Sequence, residues 1–473
     1  MNKVEKNALK ILKIFKKAGF EAFFAGGYVR DKILGRSIHD IDIATSANLK
    51  QIEEILSKNN IKVIHLGDKF GVLGALIDEI VFEVATFRTE FGTIDFRHPK
   101  KVKFGVSPKE DVQRRDFTIN GMLATCYLTS VRQAQKEGAA VFKINKFWAI
   151  DWVGGLRDLE KKLIRFIGKA KDRIKEDALR MLRAVRFACQ LDFEIEKEGK
   201  KAIKENANLI LKLSSERQRE ELTKILLSHR ADKGFLLLDE LGLLNLLLPE
   251  ITELKKIPQP KIFHAEGNAF IHTIKILKAL PKNSSLELAW AALLHDIGKS
   301  KTMLTPEKHG VDRIRFSGHD VVGAKMAEKI CRRFKMSNEQ TEKITWLVRN
   351  HMIFFNFLNM RIARQRRLMH HPYFSDLLEL YRLDIIASVP SYKGKILPPN
   401  FKTYNKIKKI YEEELARPPE PERLLSGYEI MDILNISPGP LVGEILEKLK
   451  DAQLEGEVKT KKQAIEFVKK FKK

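Results

Sequence analysis

The sequence predicts an α+β chain: a small mixed α/β head followed by a mostly α-helical remainder. Three observations carry this reading. From Ala22 to Glu83, apolar runs of strand length (Phe23–Ala25, Ile41–Ala44, Val63–Leu66, Val72–Ile77 and Ile80–Val84) are bounded by Gly and Asp and broken by one helical stretch around Leu49–Leu56. After about Asp158 the apolar spacing lengthens to three and four, in Lys175–Gln190, Gln218–Leu227 and Phe235–Leu247, as packed helices require. Finally, 44% apolar residues over 473 positions can fill several cores and exclude a disordered chain.

Taken in order, Met1–Phe20 spaces Leu9, Ile11, Leu12 and Ile14 among lysines and reads as an amphipathic helix rather than an export signal. No stretch reaches the roughly 18 apolar residues of a membrane span. Residues 1–150 form the head, and residues 151–258 a helical neck that ends at the breakers Pro258 and Pro260. Residues 259–400 hold most of the histidines and close at Pro390, Pro398 and Pro399. Residues 401–473 are a helical tail, with the proline-rich run from Arg417 to Glu422 as a stiff linker. The 86 basic against 61 acidic side chains leave a net charge of +25, which favours a polyanionic partner. Cys126, Cys189 and Cys331 have neither metal-type spacing nor disulfide arithmetic and read as buried thiols of a reducing cytoplasm.

The head carries Gly26-Gly27-Tyr28-Val29-Arg30-Asp31 and then Asp40-Ile41-Asp42. Paired glycines after a strand let backbone approach a phosphate, and a following helix N-terminus with Arg30 favours its charge. On a strand, residues i and i+2 share a face, so Asp40 and Asp42 converge on hard divalent cations, with Glu83 as a third carboxylate. Two metals so held activate an attacking hydroxyl and stabilise a leaving pyrophosphate.

These residues resemble the first motif of the class II tRNA nucleotidyltransferases and bacterial poly(A) polymerases, whose heads belong to the DNA polymerase β superfamily. The resemblance implies that Asp40 and Asp42 bind magnesium and that Gly27 and Arg30 touch the nucleotide. Arg114-Arg115-Asp116-Phe117-Thr118-Ile119-Asn120 is similar to the second motif, which implies that Arg115, Asp116 and Asn120 handle ribose and phosphates. Asp151 to Leu159, with Gly154-Gly155, resembles the third, a hinge-like link between head and neck. Glu176-Asp177-Ala178-Leu179-Arg180 resembles the fourth, and Glu216-Arg217 with Glu220-Glu221-Leu222 the fifth. Two departures stand out: Gly121 where Ala commonly follows the second motif, and a longer insertion from Tyr127 to Ala149.

Asp177, Arg180, Arg183 and Arg186 recur every three residues and read as one side of a helix. A carboxylate and a guanidinium there can read the amino group and adjacent acceptor that cytosine and adenine share. The resemblance makes Asp177 and Arg180 an amino-acid template for CTP and ATP. The polar stretch Thr86–Pro99 is loop-like and matches the flexible loop that the family uses when switching from C to A.

In the histidine-rich segment, His272, His295-Asp296, His319, His351 and Asp384 lie at wide intervals, and Leu293–Lys299 reads as a helix ending at Gly298. The set resembles an HD phosphohydrolase domain, which makes His272, His295, Asp296 and Asp384 core ligands and His319 and His351 those of a second metal. Imidazole with carboxylate suits Mn, Fe, Ni or Zn. His264 is a candidate substrate contact. In the tail, Ser437–Gly443 resembles an element that grips the tRNA elbow, and Lys459–Lys473 is either an RNA-facing helix or a docked amphipathic one.

The resemblance thus implies CCA addition to tRNA from CTP and ATP by a cytoplasmic monomer or homodimer with no membrane role, dependent on Mg2+, with accessory hydrolysis of phosphomonoesters or 2′,3′-cyclic phosphates. The alternatives are A-only addition or poly(A) synthesis, and, in another class, a metal-dependent phosphohydrolase with an RNA-binding head.

Overall fold

The short apolar runs of the head become one eight-stranded sheet in the computed structural model, which describes residues 2–38, 40–67, 71–93, 99–260, 267–392, 395–417 and 423–471. The chain divides into two compact units, Met1–Pro249 and Glu250–Lys473. His264, residues 94–98 of the polar stretch and residues 418–422 of the linker lie outside the described residues.

In the first unit, β1 (Ala22–Ala25), β2 (Asp42–Thr45), β3 (Lys62–Gly67), β4 (Val72–Ile77) and β5 (Ile80–Thr86) are joined by β8 (Leu123–Thr125), β9 (Ala140–Ile144) and β10 (Phe147–Asp151). Their order is β3-β4-β5-β2-β1-β8-β10-β9, antiparallel throughout except where β2 runs parallel to β5. All four residues of β1 are buried, so the central strand is covered on both faces and reads as a continuous apolar run. β4 and β5 turn on Asp78 and Glu79, both at positive φ (49° and 64°), the backbone that a two-residue hairpin needs.

The amphipathic start is α1 (Lys3–Lys17), opened by a capping box between Asn2 and Glu5. α2 (Gly27–Ile33) follows β1, and α3 (Leu49–Lys58) begins with a second box between Asn48 and Gln51. The polar stretch after β5 is not simply a loop. Arg88–Thr93 (β6) and Pro99–Phe104 (β7) pair antiparallel, because extended polar residues satisfy their backbone by pairing even without an apolar face. α4 (Pro108–Gln113) leads to the second motif. The insertion forms α5 (Leu128–Lys136) and the β9–β10 hairpin, and so extends the far edge of the sheet. A Cβ on Gly121 would lie 2.8 Å from Val153 Cγ2 and 2.9 Å from Ile167 Cδ1, which explains glycine there.

The third motif is a tightly bonded corner. Asp151 accepts hydrogen bonds from the backbone N–H groups of Val153, Gly154 and Leu156. α6 (Gly155–Glu160) then packs against Thr118, whose hydroxyl donates to Asp158 Oδ2 at 2.6 Å. Beyond it, the single helix expected over Lys175–Gln190 is two: α7 (Ala170–Glu176) and α8 (Leu179–Leu191). Asp177 adopts an extended backbone (φ −144°, ψ 107°), and its carboxylate accepts from Leu179 N at 3.0 Å. A short acidic side chain competes for backbone donors and favours such breaks, while the apolar period runs on past it. Similarly, Phe235–Leu247 splits at Gly242 (φ 75°) into Ala231–Glu240 and Leu243–Leu247. Between α8 and Ala231, α9 (Lys197–Asn206) packs against α7, and α10 (Ser215–Leu226) packs against α8.

The second unit is helical. Helix Leu286–Leu294 buries every residue from Leu288 on, and it ends at Leu294 rather than at Gly298. Gly298 is a packing glycine instead: a Cβ would lie 2.1 Å from the His319 carbonyl oxygen at the start of helix His319–Arg333. The tail has its own core, built on Ile430, Leu434, Ile445, Leu449 and Val468, with Ile465, Phe467 and Phe471 packed against it. Its last helix, Lys461–Lys469, is therefore a docked amphipathic one. Among the described residues, no helix is long and apolar enough to cross a membrane.

Because the His319 backbone cannot retreat without repacking its helix, Gly298→Ala is expected to cost about 1–3 kcal/mol. Thermal unfolding followed by calorimetry checks this, and an unshifted transition for the second unit would contradict the packing role.

Candidate functional site

In the first unit the site starts from one register. Ala25 pairs with Asp42, and the chain turns at Gly26 into α2. Gly26 has φ 62° and ψ −127°, and a Cβ there would lie 3.3 Å from Arg115 Nη1 and 3.7 Å from Asp42 Oδ2. Glycine is thus required both by the backbone and by the space between Arg115 and Asp42. On the other side Ile43 lies opposite Val84, so one step back along the two parallel strands Glu83 stands beside Asp42.

Asp40 precedes the strand, which begins at Asp42, so strand alternation does not place it. Its charge nevertheless reaches Asp42. The Asp42 side chain is open to solvent yet has protein on most sides, as at the floor of a cleft. Its carboxyl is pushed up to about 6, first by desolvation, then by Glu83 and, less, by Asp40, against the opposing pull of Arg115. Mutually repelling carboxylates of this kind fit a divalent cation, whose charge would relieve them.

Cations surround this floor, each held by a carboxylate. Asp111, which the sequence reading passed over, is 1% exposed. It accepts from Arg115 Nη2 at 2.9 Å and Arg114 Nη2 at 2.7 Å. Burial would raise its carboxyl, but Arg115 and Arg114 bring it below its ordinary value. The signal was present in the spacing, since Asp111 stands four residues before Arg115. Arg30 binds Asp31 through Nε and Nη2 and donates from Nη1 to Asn120 Oδ1 at 2.7 Å. Asn120 donates to Asp116, which also accepts from Phe117 N and from Arg183 Nε at 2.7 Å. This chain joins residues of the first and second motifs to Arg183, three residues beyond the fourth. The ring of Phe187 lies under all three neighbouring guanidiniums, 5.2 Å from Arg30, 5.4 Å from Arg183 and 4.5 Å from Arg186.

The side chains of Asp177 and Arg180 do not pair, although Arg180 N–H donates to the Asp177 carbonyl at 3.1 Å, and the two residues do not share a helix. Asp177 is paired with Arg217 at 3.2 Å, a residue of the fifth motif that the site prediction omitted. Arg180 donates to Glu176 at 2.7 Å and to the carbonyls of Arg173 and Arg114. Arg186 is buried against Glu221 at 2.8 Å. An incoming polyphosphate or base edge would exchange with these internal carboxylates rather than meet bare cations.

The second unit gathers the six residues singled out by the histidine pattern. His272, His295 and Asp296 have ligand atoms mutually within 4.8 Å, as do Asp296, His319 and His351, so Asp296 belongs to both groups. Asp384 Oδ1 lies 2.9 Å from His272 Nε2. The Nδ1 atoms of His295, His319 and His351 lie 2.9, 2.8 and 2.7 Å from the carbonyls of Ala292, Phe316 and Val348, each three residues earlier. Protonated Nδ1 leaves each Nε2 lone pair facing Asp296, the arrangement in which imidazole ligates a metal. The His351 imidazole is pushed down to about 3, first by burial and then by His295 and His319, so it stays neutral. Burial would raise Asp296, but His295 and Lys299 hold its carboxyl well below the usual carboxylate range. This buried nitrogen and oxygen donor set fits a transition metal.

Family models match three parts of the chain: the poly A polymerase head domain over residues 22–165, a probable RNA and SrmB-binding site of polymerase A over residues 192–255, and the HD domain over residues 270–371. A CCA-adding enzyme from Streptococcus uberis is 31% identical over 454 residues, 96% of this chain and 93% of its own length. This chain belongs to the CCA-adding enzyme family. A Lactobacillus johnsonii CCA-adding enzyme is 43% identical over 236 residues, and the match spans about half its length, 54%. The crystal structure of the Bacillus stearothermophilus CCA-adding enzyme in complex with CTP superposes with a TM-score of 0.69 at 25% identity, covering 99% of this chain and 98% of that one. A Thermotoga maritima CCA-adding enzyme complexed with tRNA shares the fold, with a TM-score of 0.56 at 19% identity, covering 99% of this chain and 95% of that one. CCA-adding enzymes are nucleotidyltransferases, and both the head and HD families are metal-dependent.

Because Asp42 takes up its proton more readily folded than unfolded, its contribution to stability is fully present below pH 4 and is lost as pH rises through about 6. In chelator-treated protein, Asp42→Asn should remove that part of the pH dependence and raise the melting temperature at pH 7. Melting curves of parent and variant that stay parallel from pH 4 to pH 7 would refute the raised carboxyl.

Proposed function

We propose that this chain adds C, C and A to the 3′ end of tRNA, without a nucleic-acid template, taking CTP and ATP and releasing pyrophosphate. The observation that carries the reading is the meeting of Asp42, Glu83 and Asp40 beside the Gly26 turn, in a chain alike over nearly its whole length to a CCA-adding enzyme. Asp40 and Asp42 would hold Mg2+, which supplies charge stabilisation to the attacking hydroxyl and the leaving pyrophosphate. Gly27, Arg30 and Arg115 take the triphosphate, with Asp116 and Asn120 orienting Arg30 and the ribose. Asp177 and Arg180 present a carboxylate and a guanidinium to the amino group and acceptor nitrogen of the incoming base, supported by Arg183 and Arg186. We assign head and neck to residues 1–150 and 151–258, the HD domain to 259–400 and a tRNA-binding tail to 401–473. We place the protein in the cytoplasm, as a monomer or homodimer.

The second unit adds a hydrolytic activity. His272, His295, Asp296 and Asp384, with His319 and His351, would hold Mn, Fe, Ni or Zn, which activates water toward a phosphate ester. Lys299, bonded to Asp296 at 2.6 Å, holds that carboxylate in place. Removal of a terminal phosphate or cyclic phosphate would leave the 3′-hydroxyl that the head extends.

Purified protein should extend tRNA transcripts ending before the CCA, after C and after CC when given CTP and ATP. Asp42→Ala should abolish every addition while RNA binding persists. Addition of A alone to all acceptors, unrelated RNA included, would replace this reading with poly(A) synthesis. His295→Ala should abolish phosphatase activity with nucleotide addition retained; unchanged phosphatase activity would remove the second assignment.

A further inference from the structure

Phe355 is 68% exposed, although burying such a ring contributes stability. It stands on the single turn Ile353–Phe355, immediately after the candidate ligand His351 and beside Met352, itself 36% exposed. The ring is not loose. Its neighbour Phe354 is 1% exposed and stacks on Tyr381 with centroids 4.8 Å apart, while Phe355 meets the edge of the same Tyr381 at 6.4 Å. A buried aromatic pair therefore holds an open aromatic face outward.

That face lines a cavity of about 710 Å³ that also reaches His295, Asp296, His319 and His351. Lys299, Arg313 and Arg315 line the same cavity. Lys299 lies 5.4 Å from the ring centroid of Phe316, and Arg315 pairs with Asp312 while staying half exposed. The cavity thus combines a candidate metal floor, three cationic side chains and an aromatic plate at one wall.

We infer that Phe355 is the base-recognition residue of the histidine site, and that this site takes the phosphate of a single unpaired nucleotide. This rests on the hydrolytic reading of the second unit. A sugar phosphate would meet the cations and the metal floor but leave Phe355 and Met352 wet. A paired RNA end keeps its bases stacked in the helix and offers no free face, whereas an unpaired terminal base can splay out and stack on an aromatic side chain. For a 2′,3′-cyclic ester, hydrolysis adds one water, opens one P–O bond and leaves a monoester with release of a proton.

The test compares the parent chain with Phe355→Ala and Phe355→Trp, all loaded with Mn2+. The substrates are adenosine 2′,3′-cyclic phosphate, a short oligoribonucleotide bearing that end, and glycerol 2-phosphate, which has no base. Phe355→Ala should raise KM for the base-bearing substrates roughly tenfold or more, as expected for loss of one stacked base. Glycerol phosphate should be unaffected, and Phe355→Trp should retain the parent values. A rise for the oligonucleotide alone would identify the RNA end as the ligand, and a rise for both would identify the nucleotide itself.

Equilibrium dialysis of 3′-AMP against chelator-treated protein should show the same loss of affinity in Phe355→Ala, independently of turnover. Equal effects on all three substrates, or undiminished 3′-AMP binding, would overturn the inference. If the parent hydrolyses nothing while 3′-AMP binding still depends on Phe355, the hydrolytic reading fails and base recognition stands.

Discussion

Asp40, Asp42 and Glu83 repel one another where β1, β2 and β5 meet, and the surrounding part of the first unit is arranged to tolerate that repulsion. The single parallel pairing in the sheet sets Glu83 next to Asp42, and the antiparallel register with β1 delivers the glycine turn to the same spot. Neither carboxylate could be held there by local preference, since like charges side by side on neighbouring strands are unfavourable. The cost is offset by the buried strands around it: Phe23 and Ile43 lie in strands buried on both faces, and a slip of β5 by one residue would turn Phe82 and Val84 outward. Stability elsewhere in the sheet thus maintains a locally unfavourable, metal-seeking arrangement.

The cations follow the same logic in reverse. Arg30, Arg114, Arg115, Arg183 and Arg186 crowd a small volume, and each is matched by Asp31, Asp111, Asp116 or Glu221. Breaking one such partly buried pair leaves the other charge uncompensated, which is far more costly than losing an exposed pair. Substrate binding at these residues is consequently an exchange of internal carboxylates for phosphate and base. Such an exchange favours ligands that offer several acceptors at once. In the second unit, one carboxylate, Asp296, plays the equivalent organising part for four imidazoles and Lys299.

Much of this was legible in one dimension. The strand runs, the glycine turn with its two aspartates, and the ordered histidines and aspartates are local patterns of side-chain type and spacing, and the folded chain brings the six metal-ligand candidates of the second unit together. What failed were boundaries and partnerships. The helix break at Asp177 was hidden because apolar spacing continues across it, and the break comes from a side chain capping Leu179. Gly298 resembled a helix stop, yet it is glycine so that two backbones can touch. The polar stretch after β5 hid a hairpin, because pairing of backbone groups needs no apolar alternation.

The sequence by itself determined the chemistry on offer: which carboxylates, guanidiniums and imidazoles exist, and which lie close enough in the chain to act together. Only the tertiary structure decided their state. That the Asp42 carboxyl is pushed up to about 6 depends first on its desolvation in the fold and then on Glu83, forty-one positions away and adjacent only through strand pairing. That Asp177 is held by Arg217 and Arg30 by Asn120, and that Phe355 faces outward beside the histidine cavity, likewise depend on contacts distant in the chain. Charge state and exposure are set by neighbours in space, and residue spacing along a chain records only the neighbours that are near in sequence.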